Sequence, residues 1–162
     1  MDQELVFIVD SRERRPYKLE PSKVQALPTG DYSVAGLEDR IAIERKEIDD
    51  LIGCLTRDRD RFTRELERGA AMDYFALLIE GTLQGLADGK YQSQMSVKSA
   101  VQSILAMSVH FRMPVWFVHN RSHGRRVTES LLSKFHRWAT TTTTGDFNSN
   151  KQKRREEVKE EK

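Results

Sequence analysis

The apolar positions of the chain fall into short runs that are typical of buried β-strands. Residues 5–9 form the first continuous run, which ends at Asp10, and residues 74–79 form a second, which ends at Glu80. Residues 114–118 form a third. Short apolar runs bounded by polar residues are typical of strands that are covered on both faces. We therefore predict three buried strands at these positions.

A hairpin is predicted between the first two of these strands. The sequence Thr-Gly-Asp at residues 29–31 is a turn signal, and residues 32–34 follow it as a short strand. Residues 36–39 indicate a second turn, and residues 40–46 indicate the second strand of the pair. Two strands joined by a glycine-containing connection favour antiparallel pairing.

Three helices are predicted from apolar residues that recur at helical spacing. The first covers residues 49–68, with Leu51, Leu55, Phe62 and Leu66 on its buried face and a stop at Gly69. The second runs from the N-cap Ser96 to Phe111, with Val97, Val101, Ile104 and Leu105 on its apolar side. The third covers residues 127–138. The order of elements predicts an α/β fold, with a central mixed sheet flanked by helices in a single domain.

Composition divides the chain into a folded body and a tail. Residues 1–139 are predicted to form the domain, and residues 140–162 a disordered charged tail, because five consecutive threonines there lead into an almost wholly charged segment. The basic run at residues 151–155 could be a nuclear signal or a DNA-binding arm. The acidic residues that follow it favour a solvated tail instead.

Charge and cysteine content restrict the functional class only weakly. The net charge of +2 does not by itself indicate a nucleic-acid partner. Cys54 is the only cysteine, so neither an intrachain disulfide nor a cysteine-based zinc site is expected. The sequence shows no signal peptide and no apolar run long enough for a membrane. We expect an intracellular protein without a membrane partner, in the cytoplasm or nucleoid of a bacterium or phage or in the nucleus of a eukaryote.

Acidic residues lie at or just past the predicted strand ends. They are Asp10, Glu13, Asp31, Glu44 and Glu80. In α/β sheets, ligands bind in the crevice outside the carboxyl ends of the strands. The sequence therefore predicts that several carboxylates converge at one sheet edge.

The triplet Glu44-Arg45-Lys46 carries the candidate chemistry. Side chains alternate along a strand, so Glu44 and Lys46 are expected on one face, and Arg45 on the other at the margin of the core. Arg45 then needs a carboxylate partner, for which Glu47, Asp49 and Asp50 are candidates. Carboxylates at Asp31 and Glu44 can hold Mg²⁺, and the Lys46 ammonium can orient or deprotonate a water or stabilise the transition state.

The same residues resemble the nuclease domain of the XPF family of structure-specific DNA endonucleases, a branch of the PD-(D/E)xK superfamily. The matching pieces are Ile8-Val9-Asp10-Ser11-Arg12-Glu13, Gly30-Asp31-Tyr32, Ile43-Glu44-Arg45-Lys46 with Asp50 four residues later, and Leu77-Leu78-Ile79-Glu80-Gly81. The resemblance implies a restriction-endonuclease-like fold. It also implies a DNA endonuclease that depends on Mg²⁺ or Mn²⁺ and cuts at branched or single-strand/duplex junctions in repair, recombination or replication.

Roles follow from the resemblance at the matching positions. Asp31, Glu44, Lys46, Arg45 and Asp50 would form the catalytic set. Asp31, Glu44 and Asp10 would be the metal ligands, and Glu13 and Glu80 would support the site. Family enzymes usually carry a tandem helix-hairpin-helix module after the nuclease domain, and we expect none within these 162 residues. A homodimer formed through the nuclease domain is expected by the same resemblance.

Arginines are the candidate DNA contacts, and a solvated charged surface is the alternative. The candidates are Arg12, Arg57, Arg61, Arg64, Arg125 and Arg126. Ion pairs such as Asp60–Arg64 and Arg61–Glu65 would instead make the helix a solvated face. Family members usually have a glutamine where this chain has Glu65. Trp116 and Trp138 are predicted to belong to the core rather than to stack on bases.

Two other functions remain open from the sequence. One is a non-catalytic scaffold that binds DNA junctions and positions a partner nuclease. The other is a restriction or resolvase type of nuclease on the same fold, which would make symmetric double-strand cuts.

Overall fold

The computed structural model describes residues 4–141 and shows a six-stranded sheet with five helices. The strands are β1 (Phe7–Asp10), β2 (Ser22–Gln25), β3 (Tyr32–Val34), β4 (Ile41–Glu47), β5 (Tyr74–Glu80) and β6 (Val115–Val118). The helices are α1 (Ile48–Leu55), α2 (Arg59–Ala70), α3 (Leu83–Ala87), α4 (Val97–Phe111) and α5 (Arg121–Thr141). The predicted tail lies outside the described residues, except for its first two positions.

The sheet is mixed, which confirms the predicted fold class. Its strand order is β2-β1-β3-β4-β5-β6. β1 pairs in parallel with β2 and antiparallel with β3, and β3 pairs antiparallel with β4. β5 is parallel to both β4 and β6. The antiparallel strands β1, β3 and β4 thus form the middle of the sheet, and parallel pairs extend it at both edges.

Helices cover both faces of the sheet. On one face Leu51, Leu55, Phe62 and Leu66 of α1 and α2 pack with Ala42, Leu77 and Ile79 of the sheet, as part of one core. On the other face Leu132 of α5 packs with Ile41, Ile43 and Leu78 in a second core. The four helical residues predicted on the buried face of residues 49–68 are all buried, as expected.

The predicted helix at residues 49–68 is two helices in the structure. The Thr56 hydroxyl donates to the carbonyl oxygen of Ile52, and the amides of Thr56 and Asp58 both donate to the carbonyl oxygen of Gly53. These bonds satisfy the last carbonyls of α1 and close a turn before α2 begins. The apolar spacing could not reveal the break, because the same residues are buried on either side of it.

α5 is longer than predicted at both ends. Asn120 caps its start, since its side-chain oxygen accepts from the His123 amide at 3.0 Å. Its last residues, Thr140 and Thr141, donate their hydroxyls to carbonyls one turn earlier. The helix therefore extends two residues past the predicted domain boundary.

Several elements and core assignments differ from the prediction. The edge strand β2 was not predicted, because it is exposed at all four positions and therefore has no buried pattern. The short helix α3 was not predicted either. Trp116 is 44% exposed rather than in the core, and Leu105 is exposed because Ala100, Ile104 and Met107 form the buried face of α4. The predicted N-cap Ser96 is confirmed, as its hydroxyl accepts from the Ser99 amide.

Within residues 4–141, none of the helices has the length and apolar character needed to span a bilayer.

Gly30 lets the chain approach β4 closely just ahead of Asp31. Its φ is +79°, and a Cβ at this position would lie 2.7 Å from the Cβ of Ala42. We expect Gly30→Ala to lower the free energy of unfolding by about 2 to 4 kcal/mol, from left-handed backbone strain plus overpacking. Gly36→Ala is the matched control, because Gly36 also has a φ of +79° but lies in an exposed turn. Denaturant titration measures both, and equal losses in the two variants would contradict the steric argument.

Candidate active site

Carboxylates from three strands converge at one edge of the sheet, as predicted. The Asp10 amide donates to the Asp31 carbonyl oxygen at 2.8 Å, which places the end of β1 beside the start of β3. The Asp31 amide donates to the carbonyl oxygen of Ile43 on β4 at 2.9 Å. Glu47 at the end of β4 is in register with Glu80 at the end of β5. Of the five predicted acidic residues, Glu13 and Asp31 line a cleft at this edge, whereas Asp10, Glu44 and Glu80 do not.

The cleft has a volume of about 520 Å³ and a mixed charged lining. Its basic residues are Arg12, Arg14, Arg15, Arg45, Lys46, Arg57 and Arg61, and its acidic residues are Glu13, Asp31, Glu47, Asp50 and Asp58. Such a lining can hold a cation and the phosphates of a polyanion at once.

Glu44 and Lys46 form a buried ion pair on one face of β4. The side chain of Glu44 is 2% exposed, and its Oε1 accepts from the Lys46 Nζ. Burial, the nearby Asp31 charge and the Glu65 carboxyl raise the pKa of Glu44. Burial would lower the pKa of Lys46, but Glu44 and Glu65 outweigh it and raise this pKa. Lys46 is therefore an ammonium at neutral pH.

Asp31 is held by the backbone of β4. Its Oδ2 accepts from the amide of Arg45 at 2.8 Å. Burial raises the pKa of Asp31 to about 6, although the Arg45 amide and the Lys46 charge both favour the carboxylate. Glu13 and Glu65 add negative charge nearby and raise the pKa of Asp31 further. The site thus concentrates negative charge that a cation would relieve.

The donor set fits a divalent cation bound by two protein carboxylates. The Oε2 of Glu44 is fully buried and accepts no hydrogen bond within residues 4–141, which is costly without a partner. Among the same residues, no cluster of three or more acidic, histidine or cysteine side chains is arranged to hold a metal by itself. Mg²⁺ is commonly bound by one or two carboxylates, with waters and substrate phosphates as further ligands. Asp31 and Glu44 would be the two carboxylates here.

The raised pKa of Asp31 predicts a pH-dependent stability in the metal-free protein. The folded chain binds more protons than the unfolded chain between about pH 4 and pH 6, so the free energy of unfolding falls as pH rises through this window. At pH 8 with a chelator present, we expect the free energy of unfolding of Asp31→Asn to exceed that of the wild type by on the order of 2 kcal/mol. Below pH 4 this difference in stability should disappear. Urea titrations across pH measure it, with Asp39→Asn at an exposed turn position as control. Identical pH profiles for wild type and Asp31→Asn would contradict this argument.

The contacts of Asp10 argue against its predicted role as a metal ligand. Its Oδ1 accepts from the amide and Nε of Arg12, and its Oδ2 accepts from the Nη2 of Arg12 and from the Leu27 amide, all within 2.7–2.8 Å. These bonds lower the pKa of Asp10, although its burial opposes them. Both oxygens are occupied, so Asp10 is better placed to shape the loop than to bind an ion. Arg12, a predicted DNA contact, is committed to the same pair and to the Leu27 carbonyl oxygen.

Arg45 lies on the opposite face of β4 from Glu44 and Lys46, as its parity predicts. Its partners are Glu80 at 3.1 Å and Glu47 at 3.5 Å. Of the three predicted candidates, Glu47 is confirmed as a partner, whereas Asp50 is exposed in the cleft and forms no ion pair with Arg45. Glu80 could not be ranked as a partner from sequence alone, because it lies 35 positions from Arg45 on the neighbouring strand. Glu80 is therefore in contact with Arg45, and its supporting role in the site stays a prediction.

The predicted DNA-contacting arginines separate into two groups. Arg57 and Arg61 line the cleft and are highly exposed, and both lie near Asp58, at 3.4 and 3.7 Å. The other three lie away from the cleft lining: Arg64 on α2 and Arg125 and Arg126 on α5, where Arg125 pairs with Glu129 at 2.6 Å. The expected ion pairs Asp60–Arg64 and Arg61–Glu65 do not form between these described residues.

Two residues near the site were missed from the sequence as functional candidates. Glu65 on α2 contributes negative charge beside Glu44, and the only signal was its difference from the usual family glutamine. Tyr17 is buried, and its hydroxyl donates to Glu80 at 2.5 Å. A single tyrosine in a polar loop carries no pattern that could have found it.

Comparisons with known proteins agree with this fold. The ERCC4 domain family matches residues 9–131. The structure is similar to XPF from Aeropyrum pernix, with a TM-score of 0.62 and 21% identity over 79% of this chain and 60% of that one. It is also similar to the complex of XPF from Aeropyrum pernix with DNA, with a TM-score of 0.57 and 20% identity over 90% of this chain and 70% of that one. No curated protein sequence matches this chain.

The family match over most of the chain, together with the mixed sheet, identifies a domain of the XPF nuclease type. The chain belongs to the ERCC4 domain family, which confirms the resemblance predicted from its motifs. It spans about 60% of the length of the first similar structure.

Proposed function

We propose that this protein is a metal-dependent DNA endonuclease that cuts phosphodiester bonds at branched or single-strand/duplex junctions. The observation that supports it most is the buried Glu44, whose Oε1 accepts from the Lys46 ammonium and whose Oε2 has no hydrogen-bond partner among residues 4–141. It lies behind a cleft that Asp31 and Lys46 line together with several arginines. A surface ion-pair network would not bury an unpartnered carboxylate oxygen.

The residues of the chain have separate tasks in this proposal. Asp31 and Glu44 hold Mg²⁺ or Mn²⁺, which supplies a bound water of lowered pKa and neutralises charge on the phosphate. Lys46, as an ammonium, orients the attacking oxygen and stabilises negative charge that develops on the phosphate. Arg45 keeps Asp31 in place through its amide and is itself held by Glu80 and Glu47.

A cleavage panel tests the proposal. The purified chain is incubated with labelled flap, fork, nicked and fully paired duplexes in Mg²⁺, in Mn²⁺ and with a chelator. We expect metal-dependent cutting of the branched substrates in preference to the paired duplex. Tight junction binding without any metal-dependent cutting would instead identify a scaffold, and symmetric double-strand cuts would identify a restriction or resolvase type of enzyme.

We propose further that the domain forms a homodimer. Leu105 and Val109 lie one turn apart on α4 and are 54% and 80% exposed, which is unusual for apolar side chains outside an interface. Sedimentation measurements on the wild type and on Leu105→Glu report the oligomeric state. A monomer at all accessible concentrations would contradict the dimer without affecting the proposed chemistry.

A further inference from the structure

The loop after β1 contributes four consecutive residues to the cleft, and three of them are arginines with unequal freedom. The Arg12 guanidinium is bonded to Asp10 and Leu27. The Arg15 guanidinium lies 3.5 Å from Glu47. Arg14 lines the cleft and is exposed, and its side chain makes no hydrogen bond or ion pair with any residue from 4 to 141. Arg14 is therefore the guanidinium of this loop that is free to bind an anion.

The end of this loop is held by the first residue of α5. The Nη2 of Arg121 donates to the carbonyl oxygens of both Arg15 and Pro16, each at 2.7 Å. One guanidinium nitrogen thus ties two successive carbonyls of the loop to a helix that packs on the sheet. This contact restricts where the neighbouring Arg14 can lie.

Tyr17 anchors the loop from the other side. Its amide donates to the Tyr32 hydroxyl at 2.9 Å, and the two rings stack with centroids 5.1 Å apart. Its hydroxyl donates to Glu80 Oε1 at 2.5 Å. The guanidinium carbons of Arg121 and Arg45 lie 5.0 and 5.6 Å from the centre of its ring. Because Arg45 also holds Asp31, the network connects the loop to the proposed metal site.

Gly124 makes this contact between helix and loop possible. It lies one turn after Arg121 on α5, and a Cβ added there would come within 2.1 Å of the Tyr17 hydroxyl oxygen. The first turn of α5 thus approaches Tyr17 closely at Gly124 while Arg121 reaches the loop carbonyls. The guanidinium of Arg121 at the helix start is therefore committed to supporting the loop.

We propose that Arg14 binds a phosphate of the DNA strand beside the metal site, and that Arg121 and Tyr17 are positioning residues that hold it there. This inference rests on the proposed nuclease function. The side chains of Arg121 and Tyr17 act on the loop, so their effects on DNA binding are transmitted through Arg14. They are not expected to contact the phosphate themselves.

A double-mutant cycle on DNA affinity tests the inference. Binding of a labelled flap substrate is measured by fluorescence anisotropy at 50 to 200 mM salt, in a Glu44→Gln background so that no cleavage intervenes. We expect Arg14→Ala to weaken binding roughly five- to tenfold and to reduce the salt slope of log K by about 0.7 to 0.9, which is the value for one lost phosphate contact. Arg121→Ala and Tyr17→Phe should each weaken binding alone, and add no further loss when combined with Arg14→Ala.

The controls distinguish the loss of a positioning contact from misfolding and from a failure of the proposed nuclease function. Tyr17→Phe keeps the stacked ring and removes only the hydroxyl, and Arg137→Ala removes an exposed charge from the far part of α5 without an expected effect. Losses that add in the double variants would overturn the positioning role, and an unchanged salt slope in Arg14→Ala would overturn the phosphate contact. If the wild-type chain binds and cuts branched DNA, but these variants bind it as tightly as their parent protein does, only this inference fails. If the parent chain neither binds nor cuts, the proposed function fails as well.

Discussion

Glu44→Gln is expected to abolish metal-dependent DNA cleavage, with a loss of about a thousandfold or more in the single-turnover rate. The substitution keeps the size of the side chain and an oxygen that can accept from Lys46, but it replaces a carboxylate oxygen with an amide that binds Mg²⁺ poorly. Because it removes a buried negative charge beside Asp31 and Glu65, the metal-free protein should be as stable as the wild type or more stable.

The matched control for this change is Glu67→Gln, an isosteric substitution at an exposed position on α2. Cleavage rates, Mg²⁺ affinity by calorimetry and thermal melting are measured for both variants. Retained cleavage in Glu44→Gln, with a melting temperature equal to that of the wild type, would mean that Glu44 is not a metal ligand of the reaction.

Lys46→Ala is expected to move two measured quantities in opposite directions. The cleavage rate should fall by about a hundred- to a thousandfold, because the ammonium that stabilises charge on the phosphate is lost. The affinity for Mg²⁺ should rise, because Glu44 and Asp31 would lose the nearest positive charge. A residue that merely maintained the fold would lower both quantities together.

Lys46→Arg sharpens this test. Lys46 lies in a confined position between Glu44 and the Phe62 ring, 5.8 Å from its centre, and the larger planar guanidinium does not place its charge at the same point. We therefore expect arginine to restore the metal affinity of the wild type but not its cleavage rate. Full restoration of the rate by arginine would contradict the requirement for a compact ammonium.

The sequence was most informative where apolar residues form a continuous run or recur at a regular spacing. Strands β1, β5 and β6 follow from such runs, and the helix after Ser96 follows from helical spacing. Alternation along β4 places Glu44 and Lys46 on one face and Arg45 on the other. It was least informative where burial is absent, as in β2, or where hydrogen bonds interrupt a continuous apolar face, as at Thr56.

The candidate site could be predicted only as a set of residue types at strand ends. The sequence placed Asp31, Glu44 and Lys46 together, but it could not show that Arg12 donates hydrogen bonds to both carboxylate oxygens of Asp10. It also could not show that Arg45 forms an ion pair with Glu80 rather than with Asp50. Such choices between competing partners depend on distances across the sheet, which spacing along the chain does not contain.

Side chains alternate between the two faces of β4, and this alternation limits where the domain can gain or lose residues. β4 passes directly from Glu47 into α1 at Ile48 with no intervening loop. Inserting or deleting one residue between Ile41 and Lys46 would exchange the two faces of the strand for part of its length. A lysine would then enter the apolar packing and an isoleucine would enter the cleft. Lengthening of this protein by evolution or design is therefore restricted to segments outside this strand, such as the turn at residues 36–39.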